Sequence, residues 1–337
     1  MVRRIRVQIL GLLTVLLYLC AWVRPSHAQT LIYTDKLSRT VRVSTPVERA
    51  VLVVTPEMIP ALDLWNQVVG ISDFAEKTCG VYKAFVHEKI KPRITTVGTG
   101  ANLNIEALMK VNPDIIITWS FYPEVVKFLE ERNLKVIAIW PENLEELYEM
   151  IRLYGRLFNR EKRAQMVIEE MRKLLDFVRD RTKKIPHNMR KRALHITSKP
   201  TVISGKRSII NDVIEFAGGI HLGKEISERN ADVSLEKIVK MNPDVIFIWG
   251  GAKYDESWII NNQALRHVKA VRERRIYKLP RWSTWSPKVP ILALYVAQKM
   301  YPDQFKSVSF ESKADEFYRK VFGINFNLVR MYEDFKL

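Results

Sequence analysis

Aromatic and cationic side chains recur together in a few short segments of this sequence: Tyr82 with Lys83, Trp119 with Tyr122, Arg207, Lys253 with Tyr254, and Arg281, Trp282, Trp285 and Lys288. Aromatic faces stack on planar or catecholate groups, and guanidinium forks pair with carboxylate or phenolate oxygens. In combination they suit a bulky anionic chelate. A naked metal ion would instead require His, Cys, Asp or Glu converging at ligand spacing. His87, His187, His195, His221 and His267 are scattered, with no two of them three to five residues apart. His221, just behind Ala217-Gly218-Gly219, is the histidine best placed for a supporting role, as an axial metal ligand or a hydrogen-bond donor. A structural histidine is the plainer reading, as a passive thiol is for Cys79. Trp119 and Trp249 close apolar runs and read equally as core residues. A Ser-His-Asp signature, a nucleophile elbow and a phosphate loop are all missing, so the sequence offers no set of acid, base and nucleophile for catalysis.

The elements that position these loops are visible in an internal repeat at an offset of 130 residues. The stretch from Ala101 to Trp119 aligns without a gap on Ala231 to Trp249, sharing Glu106/Glu236, Lys110/Lys240, Asn112-Pro113-Asp114/Asn242-Pro243-Asp244 and the closing Trp. In each copy Asn104 or Ser234 caps a helix, Glu106 or Glu236 sits in its first turn, and Asn-Pro ends it. The apolar runs Ile115-Ile116-Ile117 and Val245-Ile246-Phe247-Ile248 then read as parallel strands covered on both faces. Further strands are expected at 50–54, 68–71, 136–139, 193–197 and 275–279, alternating with helices, which makes the chain α/β. Leu31 to Val43 alternates about a turn at Lys36 to Arg39 and reads as a hairpin. The helical pattern from Arg160 to Lys183, with Asn159 as its cap, is long enough to join two lobes as one rigid rod.

Composition bounds the compartment and the partners. Arg3, Arg4 and Arg6, the apolar run Ile9 to Leu19 and Ser26-His27-Ala28 read as an export signal cleaved after Ala28. Two other readings of this segment stay open. The uncharged stretch from Val7 to Val23 falls short of the ~20 residues a membrane span needs, and the bulky Leu17-Tyr18-Leu19 argues against lipidation of Cys20. Removing the leader's four arginines (Arg3, Arg4, Arg6 and Arg24) lowers the formal charge from +17 to +13. Nucleic acid as a partner conflicts with export, and much of the charge alternates with Glu and Asp on helices. Cys79 is then the one remaining cysteine, so no internal disulfide is possible.

Two α/β lobes repeating one unit, a long helix between them and an export signal together resemble the helical-backbone class of periplasmic binding proteins, receptors of ABC importers for iron siderophores, haem, cobalamin and related chelates. The residues that carry the resemblance are Tyr33-Thr34-Asp35 with Arg39-Thr40-Val41, Val68-Val69-Gly70-Ile71, Asn104-Ile105-Glu106, Asn112-Pro113-Asp114, Ala217-Gly218-Gly219, and Trp282-Ser283 through Tyr301-Pro302. Ser38 stands where the family usually has a turn glycine. The resemblance implies two Rossmann-like lobes with mostly parallel sheets: a signal peptide at 1–28, an N-terminal lobe at 29–158, the connecting helix at 159–185 and a C-terminal lobe at 186–337. It implies a periplasmic monomer with no cofactor of its own. Its guest would be a metal chelate, a ferric siderophore first, with haem, a corrinoid or a nickel or cobalt complex behind it. Glu106 and Glu236 match the glutamates that dock on the membrane permease. Loops after the strands should line the cleft, which selects Tyr82, Lys83, Trp119, Tyr122, Arg207, Tyr254, Arg281, Trp282 and Trp285 for the ligand. A chelatase-like enzyme and a non-transport chelate sensor are the rival readings.

Overall fold

The computed structural model describes residues 29–88 and 94–333. The expected leader, its cleavage after Ala28 and the question of Cys20 lie outside the described residues. The alternation that marked a hairpin produces β1 (Gln29–Thr34) and β2 (Thr40–Thr45), antiparallel, with Val41 and Val43 turned inward toward the helix Leu144–Phe158. The turn is organised by the buried Asp35 carboxylate. It accepts the N–H groups of Leu37 and Arg39 and, across the fold, that of Ala138. Ser38 adopts φ 60° there, the left-handed conformation that explains why a glycine would be at ease at this position.

The first lobe is a parallel sheet of β3 (Ala50–Leu52), β4 (Val68–Ile71), β5 (Thr95–Thr96), β6 (Ile115–Trp119) and β7 (Val136–Ile139), in the order β5-β4-β3-β6-β7. The second lobe contains β8 (Arg192–Ile196), β9 (Val202–Ser204), β10 (Ile220–His221), β11 (Asn230–Asp232), β12 (Val245–Ile248) and β13 (Ile276–Lys278). Its order is β11-β9-β8-β12-β13, with β10 beside β8; β9 runs antiparallel to β8 and β11 antiparallel to β9. Strands β7 and β12 are buried along their whole length, as apolar runs covered by helices on both faces must be.

The repeat is physical. Asn104 Oδ1 accepts the N–H of Ala107 and Ser234 Oγ that of Lys237, which starts the helices Ile105–Val111 and Leu235–Met241. Asn112 and Asn242 both close their helices at φ 42°. Asp114 then accepts the N–H groups of Glu48 and Arg49, and Asp244 that of Arg192, so each copy ties its turn to the start of a neighbouring strand.

The connecting helix spans Glu161–Thr182, 22 residues, or about 33 Å at 1.5 Å per residue. It begins without a side-chain cap. Asn159 has a different task from the one expected: at φ 54° it ends the preceding helix Leu144–Phe158, donating its N–H to Gly155 O. Gly155 also lets the two helices approach closely, since a Cβ there would lie 2.9 Å from Ala164 Cβ. No helix among the described residues is long and apolar enough to cross a membrane.

The chain does not finish within the second lobe. Helices Val289–Met300 and Phe310–Phe322 pack along the connecting helix, and Phe326–Arg330 reaches the first-lobe helix Gly80–Glu88. The segment 186–337 is therefore wider than one lobe, because its last helices cover apolar faces of the connecting helix and of the first lobe. One buried apolar cluster accordingly runs from Val41 in the hairpin to Val329 near the end. At the meeting of these parts lies Lys288. Its Nζ is 3.4 Å from Glu57 Oε1 and 3.0 Å from Glu333 Oε1, and the three side chains are 2%, 4% and 5% exposed respectively.

Breaking this buried triad should be costly. Lys288→Met would leave two buried carboxylates without a countercharge, and the expected loss is ~3–5 kcal/mol of unfolding free energy. Urea denaturation reads it directly; a loss below about 1 kcal/mol, the scale of an exposed pair, would contradict the assigned role.

Candidate functional site

In α/β sheets the carboxyl ends of the parallel strands open toward a crevice. Trp119 is the last residue of β6, Trp140 follows β7, and Trp285 lies in the loop beyond β13. The three indoles meet there. Ring centroids lie 4.5 Å apart for Trp119 and Trp285, 4.6 Å for Trp140 and Trp285, and 5.3 Å for Trp119 and Trp140. Trp285 comes from the second lobe and donates its indole N–H across the seam to Pro141 O at 3.0 Å. Phe121, 61% exposed, stacks on Trp140 at the rim, and Tyr122 lies edge-on to Phe121. Gly100 presses the loop after β5 against this wall: a Cβ there would stand 2.9 Å from Trp119 Cδ1 and 3.2 Å from Tyr122 Cε2.

Two arginines of the second lobe border the indoles. Arg229 lies over the Trp140 ring, its guanidinium carbon 3.7 Å from the centroid. Arg207 reaches the same place, and both hold the first-lobe Glu142. Arg207 uses Nε and Nη2 on the two carboxylate oxygens at 2.9 and 2.7 Å, and Arg229 Nη2 shares Oε1 at 3.1 Å. Burial alone would raise the Glu142 pKa, but the hydrogen bonds from Arg207 and Arg229 outweigh it and hold the carboxyl below its usual range. Arg229 Nε is buried without an acceptor. An indole wall beside a guanidinium pair can stack an extended face and bind anionic oxygens at the same time.

The residues expected in the site divide between this cluster and other places. Trp119, Tyr122, Arg207 and Trp285 come together here. Tyr82 is buried and stacked on Trp65, with centroids 6.0 Å apart, while Lys83 donates to Lys77 O at 3.1 Å and faces Tyr332. Tyr254 donates to Thr197 O at 2.8 Å and lies edge-on to Trp258. Arg281 is exposed and sits over the Phe74 ring at 5.7 Å, at another point of the seam. Trp282 is buried and donates its indole N–H to Glu333. Glu106 and Glu236 are both exposed in the first turns of equivalent helices. Sequence reasoning missed Trp140, Glu142 and Arg229. Trp140 and Glu142 carry the signal that found the others, because they follow the apolar strand β7. Arg229 precedes the short strand β11 and carries no such signal.

Two of the histidines are enclosed in the second lobe. His221 is buried with Nδ1 2.5 Å from Asn211 Oδ1, and His195 with Nδ1 2.6 Å from Ser204 Oγ. Cys79 is buried, and burial lifts its thiol well above the usual range. Among the described residues no group of three or more His, Cys, Asp or Glu is disposed to hold a metal ion. A separate groove of about 330 Å³ is lined by Arg172 and Arg179. Arg179 is already paired with Asp176 at 2.6 Å, and Glu145 shares the lining, so an anion entering there would meet carboxylates.

Comparisons with known proteins place the chain among binding proteins. Residues 55–281 match the family model described as periplasmic binding protein. The molybdate-binding protein MolA of Haemophilus influenzae is 22% identical over 326 residues, covering 88% of this chain and 92% of that protein. The haem uptake protein IsdE of Staphylococcus aureus is 21% identical, covering 55% of this chain and 66% of its own. Among solved structures, CeuE of Helicobacter pylori in a nickel–histidine complex superposes with a TM-score of 0.78 at 27% identity, covering 90% of this chain and 99% of that one.

The buried histidines generate a pH prediction. Burial lowers His195 to about 3 and His221 to about 4 from an ordinary 6.5. Folded-state values below the unfolded one mean that the unfolded chain binds more protons, so stability present above about pH 6.5 is lost as pH falls toward 4. In NMR titrations both imidazoles should keep neutral-form shifts down to pH 5. A midpoint near 6.5 for either would overturn its assigned burial.

Proposed function

Because the chain belongs to the periplasmic binding protein family, we propose that it is the extracytoplasmic substrate-binding protein of an ABC importer, and that its cargo is an anionic metal chelate, a ferric siderophore first. The observation that carries this reading is the wall of Trp119, Trp140 and Trp285 bordered by Arg207 and Arg229 at the seam of the lobes. The groups on offer are indole faces and guanidinium forks, which recognise a ligand's rings and anionic oxygens rather than a bare cation. A small oxyanion, such as the molybdate that names the Haemophilus relative, would use the arginines and leave three indoles unengaged. The indoles favour a guest with an extended face.

The cargo is bound and released unchanged. A chelatase needs a base or a metal-inserting His–carboxylate set beside the guest; His195 and His221 are instead buried, with Nδ1 against Ser204 Oγ and Asn211 Oδ1. Delivery to a membrane permease would use Glu106 and Glu236, one on each lobe. Their equivalent places in the repeated unit give a two-point charged contact that can orient the receptor on its transporter. A sensor that never delivers its guest would share the cleft without needing this pair for uptake.

Two experiments test the reading. A ferric catecholate titrated into the purified protein should quench tryptophan fluorescence with one-to-one stoichiometry and be recovered intact; turnover of the chelate, or no quenching by any anionic chelate, would refute it. Reversal of both docking charges, Glu106→Lys with Glu236→Lys, should abolish uptake in cells and leave chelate affinity unchanged. Normal uptake by the double variant would remove these residues from the docking assignment.

A further inference from the structure

The arginine pair that makes the seam attractive to an anion already holds one. Glu142, on the loop after β7, is 16% exposed and occupies both guanidinium groups, accepting the Nε/Nη2 fork of Arg207 and sharing Oε1 with Arg229. This is the bidentate geometry in which an arginine binds a ligand carboxylate. We propose that Glu142 is an internal competitor for the ligand's anionic group: its carboxylate fills the Arg207–Arg229 site in the free protein and must swing out before a guest's oxygens can enter. The inference rests on the reading of this seam as the binding site, and adds to it a residue that sets affinity and selects for charge.

Three observations carry it. First, the exchange needs only a side-chain rotation, because the backbone on either side of Glu142 is fixed. Trp285 Nε1 donates to Pro141 O at 3.0 Å, and the Leu144 N–H donates to Asp212 Oδ2 at 2.5 Å, both across the seam. The lobes can stay in register while the carboxylate leaves. Second, the site keeps a donor that Glu142 does not use: Arg229 Nε is buried without an acceptor. A ligand bearing more oxygens than one carboxylate can satisfy it, which Glu142 does not. Third, Arg207 and Arg229 both pair with this one carboxylate, and the charge of Arg207 acts on Arg229 beside it. Removing it without a replacement would leave two like charges facing one another at the seam, a repulsion that any incoming anion relieves.

The consequence is selection by charge. A guest with an anionic group exchanges one ion pair for another and gains the stacking of its face on the indoles. A neutral guest of the same shape must either leave Glu142 in place and lose the space, or expel it with no countercharge for the arginines. Internal competition thus lowers affinity for every anion somewhat and rejects neutral analogues more strongly, a repulsive element of the kind specific binding uses.

The test uses the full mature chain with Glu142→Gln, which keeps the shape and deletes the charge, and two probes: inorganic phosphate, followed by equilibrium dialysis, and ferric citrate, followed by tryptophan quenching. Glu142→Gln should bind phosphate measurably where the native chain does not, and should bind ferric citrate about tenfold more tightly, since an internal charge no longer competes. Equal or weaker binding of both probes by the variant, relative to the native chain, would overturn the proposal. Gain of phosphate binding with no binding of ferric citrate or of a ferric catecholate by either protein would uphold the internal competitor and refute the chelate as cargo. Ferric citrate bound equally by both, with no gain of phosphate, would uphold the chelate and refute the competitor. Glu142→Ala carries the same expectations should the glutamine variant fail to fold.

Discussion

A lysine ammonium group enclosed by protein is tolerable only if opposite charge meets it, and Lys288 meets two. Glu57 comes from the loop after β3, Lys288 from the loop that leads into the helix Val289–Met300, and Glu333 from the end of the described chain. Burial alone would push the lysine's pKa down. The two carboxylates reverse this and hold it above the ordinary value, so the ammonium remains charged at any physiological pH. Each participant belongs to a different part of the fold, and a misplacement of any one strands the other two without water. The triad therefore fixes the first lobe, the second lobe and the C-terminal helices relative to one another, in addition to whatever the apolar contacts supply.

Rigidity at that point determines what the seam can do. The connecting helix and the helices packed along it share one apolar cluster with both lobes, so the lobes are held by packing as well as by charge. Wide opening would have to break the triad and expose part of that cluster. The indole wall and its arginines are consequently assembled before any guest arrives, and ligand exchange falls to side chains at the rim. A preorganised site of this sort loses little freedom on binding, which is how affinity is gained without large motion.

Much of the fold was legible because its signals are local. Apolar runs gave β4, β7 and β12 with their bounds, and the duplicated helix–turn–strand unit gave both caps and both Asn-Pro stops. What the sequence hid was long-range or shared between neighbours. Asn159 stands between two helices, and a residue of its type can end one or begin the next; its left-handed backbone settles the matter for the first. The short strands β9, β10 and β11 are too brief for periodicity to register. In the site, Trp119 and Trp285 could be named from their places after apolar strands, and Trp140 and Glu142 obey the same rule after β7. Arg229 has no local mark, because its role comes from the Trp140 ring and the Glu142 carboxylate of the other lobe. Trp282 illustrates the converse: its loop suggested a place in the cleft, and its indole N–H is instead taken by Glu333, fifty-one residues away.

The central claim is that a guest is held at the seam, its face on Trp119, Trp140 and Trp285 and its charge on Arg207 and Arg229. A crystal structure of the protein isolated with its natural guest tests this most directly. The account predicts density for an anionic, metal-bearing molecule against those indoles, with its oxygens on both guanidinium groups and the Glu142 carboxylate turned away. Guest density elsewhere on the molecule, with Glu142 still clasped by both arginines, would contradict it.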